Sequence, residues 1–337
     1  MNKVSECTLI RNDLLILFEK FSQLGQFSVP TLFALFFAFC VVLFFTFFFW
    51  GWGLINNFKG LQQIKQRIIS WWIILGLYIL VLGIHPLITL FGFGLISFLA
   101  FREFLSQVKI INSEVGMRRV HFWAYIAIPI QYFLVWYGEF LLFILFIPVG
   151  LLFLLPFRAI ISGLYEKSIV TFSILYWGLM LTVFSVSHIP ALLFLPSIPG
   201  HEAGHQGTIF FLIFITQMND VFQFLAGKTF GKHSLSPMIS PNKTIEGCFG
   251  GLLGSLGMAY ILAFLVPLTT LQCLFLGLFI SVLGIFGDLT ISSLKRDMKI
   301  KDMSNFIPGH GGVLDRLDSL TFASLGFFYF LYYLVYV

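Results

Sequence analysis

The residues with the most chemistry to offer lie between Asp288 and Asp318. Asp288 is followed by Ser292, Lys295, Arg296, Lys301, Asp302, Pro308, Gly309, His310, Gly311, Gly312, Asp315, Arg316 and Asp318. Lys, Arg and backbone N–H groups hold phosphate oxygens, whereas Mg²⁺ takes a few carboxylates and the phosphates themselves. Pro308 and the glycines after it force a turn with exposed N–H groups. Asp315 and Asp318 stand three apart, which places them on one face of a helix. One of them could merely favour a helix N-terminus electrostatically, but that reading does not cover the whole set. Such a mixture at a membrane surface is what a nucleotide–metal site needs.

A second concentration lies upstream. It runs Asn219-Asp220, then Gly227-Lys228-Thr229-Phe230-Gly231-Lys232, then Ser240-Pro241-Asn242-Lys243-Thr244-Ile245-Glu246-Gly247. Asp220 falls within an apolar run. A carboxylate there is costly and faces a cavity or a partner; the plainer alternative is a structural pair that fixes helix packing. Glycines and lysines before a helix start are one way to hold phosphate. Gly247, Gly250, Gly254 and Gly257 share one helix face, where small residues let membrane helices approach closely.

Ser292-Ser293-Leu294-Lys295-Arg296, then Lys301-Asp302, then Ile307-Pro308-Gly309-His310-Gly311-Gly312-Val313-Leu314-Asp315-Arg316-Leu317-Asp318 resembles the signature of phosphatidate cytidylyltransferases, the CDP-diacylglycerol synthases. Ser240-Pro241-Asn242-Lys243-Thr244 with Glu246-Gly247, and Asn219-Asp220, resemble that family's second block. Two positions depart from it: Ile291, where many members carry an acid, and Ile245, where an aromatic is usual. The resemblance covers residues 219–318 and implies CTP plus phosphatidate giving CDP-diacylglycerol and pyrophosphate. It assigns Asp288 and Asp315 to Mg²⁺, with Ser292 and Asp318 in support. Lys295, Arg296, Lys301 and Arg316 would hold phosphates or the leaving pyrophosphate. His310, Gly311 and Gly312 would shape the phosphate turn. Lys243, with Ser240 and Thr244 beside it, and Asp220 would complete the site. Family analogy adds a homodimer. Two other classes stand beside this one: a CTP-using lipid or polyprenol kinase, and an ion-coupled transporter whose buried carboxylates carry the ion.

The elements that must position these residues are membrane helices. Of the 337 residues, 58% are hydrophobic and 10% charged, and the mean hydropathy is +0.95. Soluble domains carry about a quarter charged residues. The apolar residues fall in long charge-free runs, so the fold class expected is an all-α polytopic membrane protein. Ten spans are read, at 28–55, 68–84, 86–101, 121–137, 140–157, 168–188, 207–226, 246–266, 268–290 and 319–337. Only His85-Pro86 separates the second from the third. Residues 1–165 form five spans without a recognised motif, and residues 166–337 carry the chemistry.

Charge sets the orientation. Every Lys and Arg beyond Lys20 falls between alternate pairs of spans: Lys59, Lys65 and Arg67; Arg102, Lys109, Arg118 and Arg119; Arg158 and Lys167; Lys228, Lys232 and Lys243; and the group from Lys295 to Arg316. The positive-inside rule then puts both motif blocks in the cytoplasm and both termini outside, in the inner membrane if the cell is bacterial. The net charge of +5 has the same origin, and no nucleic-acid motif accompanies it. Cys7, Cys40, Cys248 and Cys273 are too scattered for a disulfide framework or a zinc ribbon. Leu9–Phe21 is amphipathic and reads equally as a surface helix or a frayed tail. His201-Glu202-Ala203-Gly204-His205 matches the zinc-protease pattern H-E-x-x-H, which requires a helix and a third ligand. Pro199-Gly200 before it and Gly204 within it argue for a loop with incidental histidines.

Overall fold

The computed structural model describes residues 27–55, 61–108, 115–161, 168–304 and 311–337; Leu9–Phe21 and His310 lie outside them. Among the described residues the chain forms ten helical rods. They are α1 (Val29–Ile55), α2 (Leu61–Ile84), α3 (Pro86–Gln107) and α4 (Val115–Tyr137). In α5, a π-turn at Phe146–Leu151 joins Phe140–Leu145 to Leu152–Ile161. In α6, a π-turn at Met180–Phe184 joins Ser168–Leu179 to Ser185–Ala191. Then follow α7 (Gly204–Phe230), α8 (Ile245–Ile261), α9 (Thr270–Asp297) and α10 (Leu314–Tyr336). The short strands β1 (Ser234–Ser236) and β2 (Ser240–Thr244) pair antiparallel between α7 and α8.

Seven helices among the described residues are long and apolar enough to cross a membrane, and Ile245–Ile261 is a shorter apolar helix. Phe44, Phe91, Phe153, Ile160 and Leu271 are exposed on the outside of the bundle. In water each exposed Å² of such surface would cost about 25 cal/mol, and in hydrocarbon it costs nothing. The interior carries hydroxyls and amides that bond between helices, as in membrane bundles. Ser97 Oγ meets Tyr132 Oη at 2.7 Å, and Gln131 Nε2 donates to Ser187 Oγ at 3.3 Å. The protein is an all-α, multi-pass integral membrane protein.

The ten rods follow the ten expected spans, with local signals at their ends. His85 accepts the Leu87 N–H at 3.2 Å and Pro86 opens α3, the position where a missing N–H costs nothing. Thr269 and Gln272 form a capping box for α9. The rods also run past the apolar stretches. Arg102, Arg158, Lys228, Lys295 and Arg296 were expected in loops but lie on helices. Backbone hydrogen bonding continues after hydropathy falls, and long basic side chains reach the interface from there.

Close packing positions the site. A Cβ on Gly250 would come within 2.2 Å of Ala226 Cβ, and one on Gly254 within 2.2 Å of the Phe222 ring. The glycine face of α8 therefore lies directly on α7, although a Cβ on Gly257 would meet none of the described residues within 4 Å. Likewise a Cβ on Gly287 would meet the Asp318 carbonyl at 2.4 Å, so the start of α10 rests on α9 beside Asp288.

Candidate active site

Four elements meet at one cluster: the middle of α7, β2, the last turns of α9 and the first turns of α10. Asp288 on α9 forms an ion pair with Lys243 at the end of β2. The two side chains are 19% and 20% exposed, so the pair is sheltered yet reachable. One helical turn on, Ser292 Oγ donates to Asp288 Oδ1 at 3.2 Å. Residues far apart in the two motif blocks are thus joined by a direct charge contact.

Lys295, the next residue on that face of α9, donates to Asp315 Oδ1 at 2.8 Å. Asp315 Oδ2 accepts the N–H groups of Met303 at 2.8 Å and Gly312 at 2.9 Å. Asp315 therefore ties both ends of the α9–α10 connection to α9 itself. Gly311 has φ +79°, a left-handed conformation that favours glycine. Arg296 spans two loops: its Nε donates to the Ile239 carbonyl at 3.0 Å and its Nη1 to the Ile300 carbonyl at 3.3 Å.

Asp318 lies one turn after Asp315, in electrostatic range of Asp288, Asp220 and Lys295. Its Oδ1 accepts the Ser319 N–H at 2.8 Å, while the Ser319 hydroxyl donates to Asp220 Oδ2 at 2.9 Å. Three carboxylates from α7, α9 and α10 thus share one neighbourhood. Such a grouping repels itself unless a cation lies among them. Among the described residues no three His, Cys, Asp or Glu form a ready-made metal cage. Mg²⁺ does not require one, since it binds through one or two carboxylates and the phosphates of a substrate.

The remaining candidates take different places. Ser240 opens β2, opposite Ser236. Thr244 caps α8, its hydroxyl accepting the Gly247 N–H at 3.1 Å. Glu246 holds the loop before it, accepting from the Lys232 and His233 N–H groups at 3.0 and 3.2 Å. Lys301 and Arg316 are exposed. One participant has no counterpart in the sequence reading: Glu103 of α3 accepts the Leu314 N–H at 2.9 Å. An acid beside Arg102 at the end of an apolar run was the available signal.

The H-E-x-x-H segment is not one helix. α7 begins at Gly204, whose φ is +64°. His201 Nε2 lies 3.1 Å from the Gly204 carbonyl and 3.3 Å from Thr208 Oγ1. Burial lowers the His201 pKa from the usual histidine value, with the Gly204 carbonyl acting the other way.

Fold and site together define a polytopic membrane enzyme whose charged cluster is assembled where three helices and a short strand meet. The model of the Cytidylyltransferase family matches residues 65–334, so the chain belongs to that family and is a nucleotidyltransferase. It is 38% identical to the Escherichia coli (strain K12) protein named "Uncharacterized protein YnbB" over 277 residues, 81% of this chain and 89% of that one. It is 43% identical over 125 residues to the phosphatidate cytidylyltransferase of Bacillus subtilis (strain 168), 36% of this chain and 46% of that one. It is 40% identical over 116 residues to the phosphatidate cytidylyltransferase of Staphylococcus haemolyticus (strain JCSC1435), 34% of this chain and 45% of that one. The chain thus spans less than half the length of these two relatives that carry an enzyme name.

Proposed function

We propose that this chain transfers the cytidylyl group of CTP to phosphatidate, giving CDP-diacylglycerol and pyrophosphate, with the reacting groups at the cytoplasmic side of the membrane. The observation that carries the reading is the Lys243–Asp288 pair, which joins the two motif blocks beside Asp318 and Asp220. The similarity to enzymes named phosphatidate cytidylyltransferase supports the lipid acceptor. The alternate-end placement of basic residues supports the cytoplasmic side.

In the reaction a phosphate oxygen of the lipid attacks the α-phosphorus of CTP. The bond from that phosphorus to the oxygen bridging it to the β-phosphorus breaks, and the electron pair leaves with pyrophosphate. The lipid phosphate is already largely ionised at neutral pH, so positioning and charge neutralisation suffice. When bound, Mg²⁺ would supply charge neutralisation to the phosphates. Asp288 and Asp318 would hold it, with Ser292 orienting Asp288. Asp315, the other carboxylate that the resemblance assigns to Mg²⁺, accepts three hydrogen bonds and would also shape the loop. Lys243 and Lys295 bring the cations that phosphates need to the same place. Arg316 and Lys301, exposed at the mouth, meet the leaving pyrophosphate.

The test is purified protein with labelled CTP, Mg²⁺ and phosphatidate, with both products identified. CDP-diacylglycerol and pyrophosphate are expected. Release of CDP with a phosphorylated lipid would make the protein a CTP-using kinase instead.

A further inference from the structure

Glu103 stands on α3, in the half of the chain without a recognised motif, yet its side chain reaches the signature. Its Oε2 accepts the Leu314 N–H at 2.9 Å, and the residue is 7% exposed. Its Oε1 is buried with no hydrogen-bond partner among the described residues. A Cβ added to Gly312 would stand 1.5 Å from that Oε1, so the carboxylate fills the space that a side chain at 312 would need.

The first N–H groups of a helix need acceptors from outside it. Val313, at the N-cap of α10, supplies no side-chain cap. Glu103 therefore caps α10 from another helix, while Asp315 Oδ2 takes the Gly312 N–H in the same turn. A residue that only filled space would not carry a buried oxygen without a partner, because that is costly. Leucine or methionine would fill the same volume without it.

We propose that Glu103 is a positioning residue for the transfer reaction: by accepting the Leu314 N–H it fixes where α10 begins, and so where Asp315 and Asp318 stand. The kinetic consequence rests on the function proposed above. The structural consequence does not.

The experiment compares Glu103→Gln, which keeps an acceptor oxygen, with Glu103→Met, which keeps only the volume. Hydrogen–deuterium exchange over residues 311–320 is measured in detergent, alongside kcat, the KM for CTP and the Mg²⁺ dependence. Glu103→Gln should retain exchange protection and hold kcat within about threefold of the parent, since a neutral oxygen can still cap. Glu103→Met should lose protection and lower kcat by about tenfold or more at a nearly unchanged KM for CTP, as expected when reacting groups slip out of register. Its Mg²⁺ requirement should rise as well, which a mere loss of folded protein would not cause. A Gln variant as damaged as the Met variant would overturn the proposal. So would a Met variant with full protection and activity. If Glu103→Met is not recovered folded, Glu103→Gln decides by the same two readouts. Absence of cytidylyl transfer in the parent protein would sink the proposed function, while the exchange comparison would still decide the role of Glu103.

Discussion

Asp288 and Asp315 are both signature aspartates, but their surroundings predict different failures when each is changed to asparagine. Asp315 is 7% exposed and Lys295 11%. Three donors converge on the two Asp315 oxygens: Lys295 Nζ, the Met303 N–H and the Gly312 N–H. Asparagine offers one oxygen and one NH₂. At least one donor would face another donor, and Lys295 would lose its counter-charge in a buried place. Removing one member of a buried pair costs about 3–5 kcal/mol, so Asp315→Asn should loosen the α9–α10 connection as well as the chemistry. Asp288 differs, because its partner Lys243 lies on a short hairpin and is 20% exposed. That ammonium can turn to water, which limits the structural damage. Both variants should lower turnover by on the order of a hundredfold, the scale of losing one key electrostatic contact. Only Asp315→Asn should also lower the melting midpoint in detergent and speed hydrogen exchange at residues 300–304. The assay is labelled-CTP turnover across a Mg²⁺ series, with melting and exchange measured on the same preparations. Turnover near the parent level in both variants at limiting Mg²⁺ would refute the role of the carboxylates. Equal melting of the two variants would refute the distinction drawn between them.

Three further outcomes are expected. A cysteine at Lys232 should be labelled by an impermeant thiol reagent only from the cytoplasmic side, and one at Glu202 only from the opposite side; labelling of both positions from one side would break the orientation. The double change His201→Ala with His205→Ala should leave turnover within a few-fold, and near-total loss in folded protein would reveal a metal site in that loop. Gly254→Leu should destabilise the fold by about 1–3 kcal/mol through overpacking, because a Cβ there already meets the Phe222 ring at 2.2 Å; an unchanged melting midpoint would show that α7 and α8 are less closely packed.

The helices were legible because a helix that crosses hydrocarbon needs an apolar run, and that demand is written into the sequence. Even the break at His85-Pro86 was visible, since proline at the first helical position has a fixed structural meaning. The ends were less legible. Lys295 and Arg296 look like loop residues by polarity, whereas helix α9 extends to Asp297. That the two motif blocks would meet followed from their resemblance to a known family, but the pairing of Lys243 with Asp288 and of Lys295 with Asp315 did not. Nothing in the spacing of Lys243, Asp288, Lys295 and Asp315 shows which lysine meets which aspartate. That depends on how α8 lies on α7 and α10 on α9, set by Gly250, Gly254 and Gly287. Glu103 was hidden for a different reason. It acts singly, far from either block, and one acid beside Arg102 at the polar end of a helix carries no spacing to read.

The cluster also bears on why the reacting groups sit on helices rather than on loops alone. On the proposed reading, the lipid acceptor is confined to the bilayer interface and CTP arrives from water. Asp220 stands ten residues before the last residue of α7, and Asp288 nine before the last of α9. At about 1.5 Å per residue, each lies roughly 14–15 Å inside its helix end. A phosphate drawn to that level leaves bulk water while its acyl chains remain in hydrocarbon. Carboxylates held there by helix backbone keep their spacing, and the packed apolar helices around them exclude water that would otherwise screen the attraction between phosphate and cation. On the same reading the β1–β2 hairpin carries Lys243 to Asp288, setting a cation against a carboxylate held by helix backbone. An arriving phosphate would then take that ammonium from Asp288 by a side-chain movement.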